Sequence, residues 1–273
     1  MRPDRLSAYE EQVLQELVAW KSPTRTLLGR AGDRVERLIN AVMDHIPLRL
    51  IEGVLGWVMP RLRDLTWRGT SEGLTLRVYR RAGVPISSLA EVPGLDLEVV
   101  DAAAGDKRLQ EGAVAGVQGA AAGFFGGWTL AADVAGVMLL SMRAVQSRAL
   151  VYGFDPSSDQ ELAFVLKVLD AASRLGPNSK TAARSGLSMA SRALTRPAVR
   201  RAIEEALERV PKSLTARFVA MKSESVAPVL GAATSATFNA WYLQAVSETA
   251  RQAYRERFLR RKHGDELLAA FGL

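Results

Sequence analysis

Residues Gly112–Leu140 read GAVAGVQGAAAGFFGGWTLAADVAGVMLL, a nearly apolar segment that carries one charge, Asp133. Its glycines recur at intervals of three or four residues, a small-xxx-small pattern that lets a second helix approach within backbone contact. The glycines that carry this pattern are Gly112, Gly116, Gly119, Gly123 and Gly127. The segment therefore predicts a helix that packs closely against another helix.

A second uncharged run, residues 225–247, reads SVAPVLGAATSATFNAWYLQAVS and includes Gly231, a further position suited to close helix packing. We predict that the two runs pack together as a central hairpin of small-residue-rich apolar helices. Residues 112–132 form 21 consecutive uncharged positions, which is long enough to cross a bilayer. Residues that favour insertion strongly are few in both runs, so three interpretations stay open: core helices of a soluble protein, peripheral or conditional membrane insertion, and constitutive spanning.

Asp133 also has more than one interpretation. The favoured one is an N-cap, in which Gly126-Gly127 breaks the helix and Asp133 begins a new helix over 134–152. The alternatives are a carboxylate in the membrane or in a pocket, and a buried ion pair with a partner from another segment. Arg143 lies too far along a straight helix to be that partner by itself. The polar positions Asp133, Arg143, Tyr152 and Asn239 are our candidates for a ligand site or a polar core.

The rest of the chain also reads as helix. Apolar residues recur every three to four positions, and LTLRVY at 74–79, the single plausible strand, cannot form a sheet alone. We predict an all-α fold, a compact multi-helix bundle forming one domain over 1–273, with a helical N-terminal part (1–100) and a Gly-rich core with a basic C-terminal helix (101–273). Further boundaries follow from capping and turn signals. Ser7 and Glu10 form a capping box for helix 8–20, and Gly153 predicts the end of a helix. Asp155 is predicted to cap the next helix, with Pro156 at its first position, Gly176–Ser179 form a turn, and Thr195 is predicted to cap helix 196–210, which ends before Pro211.

Composition limits the function classes. The net charge of +7 favours an acidic partner such as anionic lipid, although solubility alone explains it equally well. The absence of cysteine and the presence of only two histidines leave no basis for a metal site or a cofactor, and we predict neither. The first residues lack the apolar run of a signal peptide, so we expect a cytoplasmic protein. No phosphate-binding loop, dinucleotide fingerprint, zinc-protease helix or nucleophile elbow is present, and no catalytic residue can be assigned.

The C-terminal stretch ETARQAYRERFLRRKHG predicts a basic helix over 250–262. We predict that its cations contact anionic headgroups, at about 1 kcal/mol for each well-placed cation, with Tyr254 and Phe258 at the interface. A solvated helix is the equally favoured alternative. The cations are Arg251, Arg255, Arg257, Arg260, Arg261 and Lys262.

Two segments resemble the EcsC family of bacterial proteins. The first combines a Gly-rich run from Gly123, then Asp133, Arg143 and the sequence Tyr-Gly-Phe-Asp at 152–155. The second combines Pro228, Gly231 and Asn239 with the arginines at 251 and 255. The resemblance covers about residues 8–262. It implies a helical fold and a membrane-related setting, because the family is named after proteins encoded beside an ABC-type transporter, and it implies no reaction.

Together these observations predict a non-enzymatic helical protein that associates with the inner face of the membrane, with a membrane protein complex such as a transport system, or with an apolar ligand such as a lipid. One alternative is a hydrolase or transferase with a carboxylate site near Asp133. Others are a soluble scaffold and a nucleic-acid-binding protein, the latter disfavoured because no base-reading module is present. Small-residue faces can also pair between two copies, so a homo-oligomer stays open.

Overall fold

The computed structural model describes residues 6–22, 36–37, 39–56, 58, 72–105, 130–174, 177–191, 196–221 and 235–273, and these residues form helices, turns and no strand. Shorter helical stretches cover 39–43, 48–56 and 97–105. The longer helices are α1 (Ala8–Lys21), α2 (Glu72–Arg81), α3 (Leu130–Val151), α4 (Asp159–Ala172), α5 (Pro177–Ser191), α6 (Arg196–Met221), α7 (Ser235–His263) and α8 (Asp265–Ala270), with a 3-10 helix at Leu89–Gly94. The predicted all-α class is confirmed.

Several helix boundaries follow from capping chemistry as predicted. The Ser7 side chain accepts the Glu10 N–H at 3.1 Å and the Glu10 carboxylate accepts the Ser7 N–H at 3.0 Å, which completes the capping box of α1. LTLRVY lies within the helix α2. At the end of α3, Gly153 adopts φ +73° and the Phe154 N–H reaches the Ala149 carbonyl at 2.8 Å, which terminates the helix in the left-handed conformation that glycine favours.

Other predicted boundaries are wrong. Asp133 lies inside α3, three residues after Leu130, and a helical backbone excludes an N-cap at that position. Ser158, not Asp155, caps α4, while the Asp155 side chain accepts the Ser157 N–H within the preceding turn. Pro177 opens α5, because a proline at the first helical position gives up no intrahelical hydrogen bond.

The predicted end of helix 196–210 is also wrong, because α6 continues through Pro211 to Met221. The residues that follow the proline include Leu214 and Ala216, which are fully buried. Burial of this extra length offsets the single hydrogen bond that proline removes from the helix. Thr195, predicted to cap this helix, lies outside the described residues.

The core forms around α7, which packs against α1, α3, α4 and α5. The directions of its neighbours follow from side-chain contacts. The Arg148 guanidinium of α3 donates to Ser247 at 3.2 Å, and Arg261 near the end of α7 donates to the Tyr152 carbonyl at 2.7 Å, so α3 and α7 run parallel. The hairpin predicted for the runs 112–132 and 225–247 falls mostly on residues outside those that the structure describes.

The remaining directions bring several helix ends together. Helix 97–105 is antiparallel to α7, because Asp96 lies near Lys262 and Asp101 near Arg255. Helix α4 is also antiparallel to α7, since Glu161 contacts Tyr254 and the Leu169 carbonyl contacts Tyr242. Helix α6 runs parallel to α4. Asp170 pairs with Arg209, and the Ser173 hydroxyl contacts the Ser213 hydroxyl. Helix α6 thus ends, and α3 and α7 begin, at one end of the bundle, whereas helix 97–105 ends beside the middle of α7, because Asp101 contacts Arg255.

Candidate functional site

The charged half of α7, residues 248–263, lies inside the bundle. The Arg255 side chain is only 4% exposed, and Tyr254 and Phe258 are fully buried. This placement differs from the exposed basic helix that the sequence predicted. The reason is that carboxylates of four other segments lie opposite the arginines and lysine, and a buried charge is retained only where a partner of opposite sign and hydrogen bonds compensate its desolvation.

The centre of this arrangement is the Asp101 cluster, formed by Asp101, Arg255, Tyr9, Tyr152 and Glu16. Asp101 accepts hydrogen bonds from Arg255 Nε at 2.7 Å, from the Tyr9 hydroxyl at 2.7 Å and from the Tyr152 hydroxyl. Arg255 also donates from Nη1 to Glu16 at 2.8 Å and from Nη2 to the Tyr9 hydroxyl at 3.1 Å. One arginine thus joins α7 to α1 and to helix 97–105, and Tyr152 adds the end of α3.

The ionisation of this cluster is fixed at neutral pH. Burial and the hydrogen bond to Asp101 raise the pKa of Tyr9 to about 12, and burial beside the same carboxylate raises the pKa of Tyr152 well above its usual value. Burial alone would lower the pKa of Arg255, but the hydrogen bond and charge of Asp101 raise it. A general acid or base requires a pKa near the working pH. These two tyrosines and this arginine therefore stay protonated and act as hydrogen-bond donors.

A second cluster is formed by Arg257 and Tyr254, which flank Arg255 in the sequence of α7. Arg257 donates from Nη1 to both oxygens of Glu161, at 2.8 and 2.9 Å, and the Tyr254 hydroxyl donates to the same carboxylate. The guanidinium carbon lies 4.1 Å from the ring centroids of both Phe154 and Phe164, a geometry that gives favourable cation–π contact. Aromatic rings thus flank the ion pair on the guanidinium side.

The other cations near the end of α7 also have defined partners. Arg260 contacts Glu256 at 2.9 Å and also contacts Asp265, and Lys262 contacts Glu10 at 3.0 Å. Arg261 donates to the carbonyls of Tyr152 and Gly153 at 2.7 and 2.9 Å, which satisfies carbonyls at the C-terminus of α3. Arg251 contacts Glu248 within α7 at 3.2 Å. These side chains therefore connect α7 to neighbouring segments.

The structure brings only part of the predicted polar set together. Tyr152 lies in the Asp101 cluster, whereas Arg143 is half-buried further along α3 and takes no part in that cluster. Asp133 and Asn239 have helical backbones in α3 and α7, and their side chains lie outside the described residues. The glycines predicted to mediate close packing also lie outside the described residues; they are Gly112, Gly116, Gly119, Gly123, Gly127 and Gly231.

Sequence reasoning missed the carboxylates, although the sequence contained a signal for them. Asp101 falls four residues after Leu97 and three before Ala104, both buried, so it occupies the apolar face of its helix. Glu161 precedes the buried Phe164 and Val165 by three and four residues in the same way. An acidic residue on an apolar helical face requires a buried partner, and the arginines of α7 are the available donors.

The open spaces in the described part of the chain lie elsewhere. A groove of about 610 Å³ runs between the turn at 43–48 and the side of α6, and it is lined by charges of both signs together with Leu48. A much smaller cavity lies beside Arg217. Within the described residues, no group of three or more histidine, aspartate or glutamate side chains is arranged to hold a metal ion.

One described helix has the length and composition needed to cross a membrane. It comprises Val134–Val151 of α3, and 72% of that window is buried inside the bundle. A core helix of a soluble protein satisfies the same criterion, so this helix adds little weight by itself to a membrane interpretation.

Comparison with known proteins finds similarity to one protein family and to one bacterial relative. A model of the EcsC protein family matches residues 11–259. The chain is also 28% identical to the uncharacterized protein YdbA of Bacillus subtilis (strain 168) over 169 residues, which are 59% of this chain and 61% of YdbA. The match thus spans less than two thirds of that relative. No solved structure matches the chain.

Proposed function

We propose that this chain, which belongs to the EcsC protein family, is a non-enzymatic protein that attaches to membranes through one end of its helical bundle. The observation that supports this proposal is where the two uncharged runs join the bundle. Residues 106–129 connect helix 97–105 to α3, and residues 222–234 connect α6 to α7. The connection 222–234 leaves and returns at the end of the bundle where α3 and α7 begin, and the connection 106–129 returns there.

The composition of the two connections suits an apolar environment. Positions 112–132 and 225–247 contain no charged residue, whereas the remaining half of α7 is densely charged. We propose that the parts of the runs that precede α3 and α7 contact each other through the glycines at 112, 116, 119, 123, 127 and 231 and enter the acyl region together, while Tyr242 and Val246 of the second run stay buried in the core. Two marginal segments that pair in this way can direct their polar groups toward each other and their apolar atoms toward lipid.

The buried ion pairs of α7 support the assignment of membrane attachment to the uncharged runs. Their cations already have carboxylate or carbonyl partners inside the bundle, so the folded body does not depend on membrane headgroups for charge compensation. We therefore assign attachment to the uncharged runs, and we assign the net positive charge of the chain to attraction toward an anionic membrane face. The expected location is the cytoplasmic face of the membrane, alone or beside a membrane protein complex.

Co-sedimentation of the purified, detergent-free chain with liposomes tests this proposal. We expect binding to vesicles that contain anionic lipid, and we expect the bound protein to stay with the pellet after a high-salt wash. Val117→Arg should weaken binding about 100-fold, because arginine at the centre of an inserted segment costs roughly 2.5–3.5 kcal/mol. Met189→Arg is the matched control, since Met189 is 71% exposed on α5 and the charge change is the same.

Two outcomes would overturn the proposal. The first is no binding at any lipid composition, which would leave a soluble scaffold as the better interpretation. The second is binding that high salt removes and that Val117→Arg does not reduce, which would assign attachment to surface charge and not to the uncharged runs.

A further inference from the structure

Arg217 of α6 is a buried cation whose hydrogen-bonding capacity is not satisfied. The residue is 3% exposed, and its Nε and Nη1 atoms have no hydrogen-bond partner in the structure. Arg255 and Arg257, by contrast, donate to carboxylates at 2.7–2.9 Å. A buried guanidinium without an acceptor is expensive to maintain, so its presence points to an acceptor that binds from outside the chain.

The surroundings of Arg217 form a small cavity between the helical stretch at 39–43, the end of α4 and the side of α6. Two further guanidinium groups line it, those of Arg174 and Arg209, together with the hydroxyls of Ser173 and Ser213 and one carboxylate, that of Glu36. The enclosed space is about 10 Å³, which fits one water molecule or one oxygen atom of a larger group. The Arg209 side chain is 49% exposed, so the cavity adjoins solvent on that side.

The charge around the cavity is positive. Three guanidinium groups line it, and the negative charges nearby are the two carboxylates of Asp170 and Glu36. Asp170 contacts Arg174 at 2.9 Å and Arg209 at 3.4 Å, so it serves those two arginines. Burial lowers the pKa of Arg217 to about 10, which still leaves the guanidinium charged at neutral pH. The site therefore has an excess of one positive charge.

We propose that this cavity binds the phosphate group of an anionic ligand, with one phosphate oxygen in the enclosed space accepting a hydrogen bond from the guanidinium of Arg217. The other oxygens would face Arg209 and Arg174 at the mouth. Phosphate fits better than a bound water, because a water molecule carries no negative charge to offset the excess of cations around the cavity, whereas hydrogen bonds between a guanidinium and a phosphate are charge-assisted on both sides.

The phosphate can come from a soluble phosphate compound or from a lipid headgroup. Arg217 lies four residues before the end of α6, where the chain leads into the second uncharged run. That position is about 6 Å along the helix axis from its last residue. The phosphate site does not rest on the proposed membrane function, because its residues are described and lie outside both uncharged runs.

Calorimetric titration of the full chain with inorganic phosphate, at constant ionic strength maintained with sodium chloride, tests the site. We expect saturable binding of one phosphate per chain. Arg217→Met should reduce the affinity at least tenfold, whereas Arg200→Met should leave it unchanged. Arg200 is the matched control because it lies on the same helix, its side chain is 84% exposed, and it pairs with Glu204.

A second variant keeps the test valid if Arg217→Met fails to fold. Ser213→Ala removes one lining hydroxyl and should weaken phosphate binding about fivefold, the effect of one hydrogen bond. Vesicles containing phosphatidic acid identify the source of the phosphate. Tighter binding to them than to inorganic phosphate, lost in Arg217→Met, assigns a lipid headgroup, and equal affinity assigns a soluble phosphate compound.

The outcomes that overturn the site are distinct from those that overturn the membrane proposal. The phosphate site is wrong if no saturable phosphate binding occurs, or if Arg200→Met and Arg217→Met weaken it equally. Val117→Arg should bind inorganic phosphate with wild-type affinity even though it is expected to lose vesicle binding. If the wild-type protein binds inorganic phosphate but does not bind vesicles, only the membrane proposal is rejected.

Discussion

Replacement of Asp101 by asparagine should destabilise the protein strongly, although the two side chains have nearly the same shape. Asparagine cannot neutralise Arg255, whose side chain is 4% exposed and lies 2.7 Å from the carboxylate. Removal of one partner from a buried ion pair costs about 3–5 kcal/mol, because the other charge stays buried without compensation. Glu16 still contacts Arg255 at 2.8 Å, which places the expected loss toward the lower half of that range.

Urea unfolding followed by circular dichroism at 222 nm measures this loss. Wild type, Asp101→Asn, Arg255→Met and the double variant form a mutant cycle. We expect the double variant to lose less free energy of unfolding than the sum of the single variants, since it leaves no unpaired charge. Glu204→Gln is the control, because the pair of Glu204 with Arg200 is exposed and should contribute less than about 1 kcal/mol.

The reasoning would be refuted by a loss in Asp101→Asn no larger than that in Glu204→Gln. It would also be refuted by strict additivity of the two single variants in the Asp101 cluster. Either result would mean that solvent or another group compensates Arg255, and that the cluster does not hold α7 against helix 97–105.

Four further predictions concern other parts of the bundle. Gly153→Ala should lose at least about 1–2 kcal/mol by urea unfolding, because φ is +73° and an added Cβ would lie 2.9 Å from that of Val92. Gly136→Ala, in open space within α3, should instead gain about 0.5–1 kcal/mol. Although burial opposes it, hydrogen bonds from the Ser7 backbone N–H and from Lys262 and His263 lower the pKa of Glu10 below its ordinary value of 4.5. The contribution of Glu10 to stability is therefore present above pH 4.5 and is lost as the pH falls through the folded-state pKa. Glu10→Gln should make the urea midpoint change less between pH 6 and pH 3 than it does in the wild type. In phosphate-free buffer, Arg217→Met should raise the free energy of unfolding by up to about 3 kcal/mol, because it removes the charge whose burial lowers the pKa from 12.5 to about 10.

Local signals predicted much of the secondary structure. The capping box at Ser7 and the left-handed stop at Gly153 act through backbone hydrogen bonds within a few residues, so they can be read directly from sequence. The helix boundaries predicted from Asp155 and Pro211 are wrong, because each boundary depends on neighbouring residues as well as on the signal itself. Ser158 competes with Asp155 as the cap, and tertiary burial carries α6 past its proline. Such competition is decided by packing that a single sequence does not display.

The candidate site was predictable only in part. Tyr152 was among the polar candidates, and it lies in the Asp101 cluster. The basic helix was predicted at the right place, but Arg255 and Arg257 face inward, because the carboxylates that receive them, Glu16, Asp101 and Glu161, are 96–239 residues away in sequence. Long-range pairing of this kind has no periodic signature. The useful local sign was an acidic residue on an apolar helical face.

The charges of α7 are confined to its C-terminal half. Residues 235–247 carry no charge, and residues 248–262 carry eight, namely Glu248, Arg251, Arg255, Glu256, Arg257, Arg260, Arg261 and Lys262. Ion pairs between buried side chains contribute little net stability, but each is geometrically demanding, and together they fix the position of α7 along its axis against α1 and helix 97–105. That axial position brings the uncharged half of α7 to the end where the connections 106–129 and 222–234 join the bundle. A shift of α7 by one turn would break the contacts of Arg255 and Arg257 at once, so the charged half determines where the uncharged half is presented.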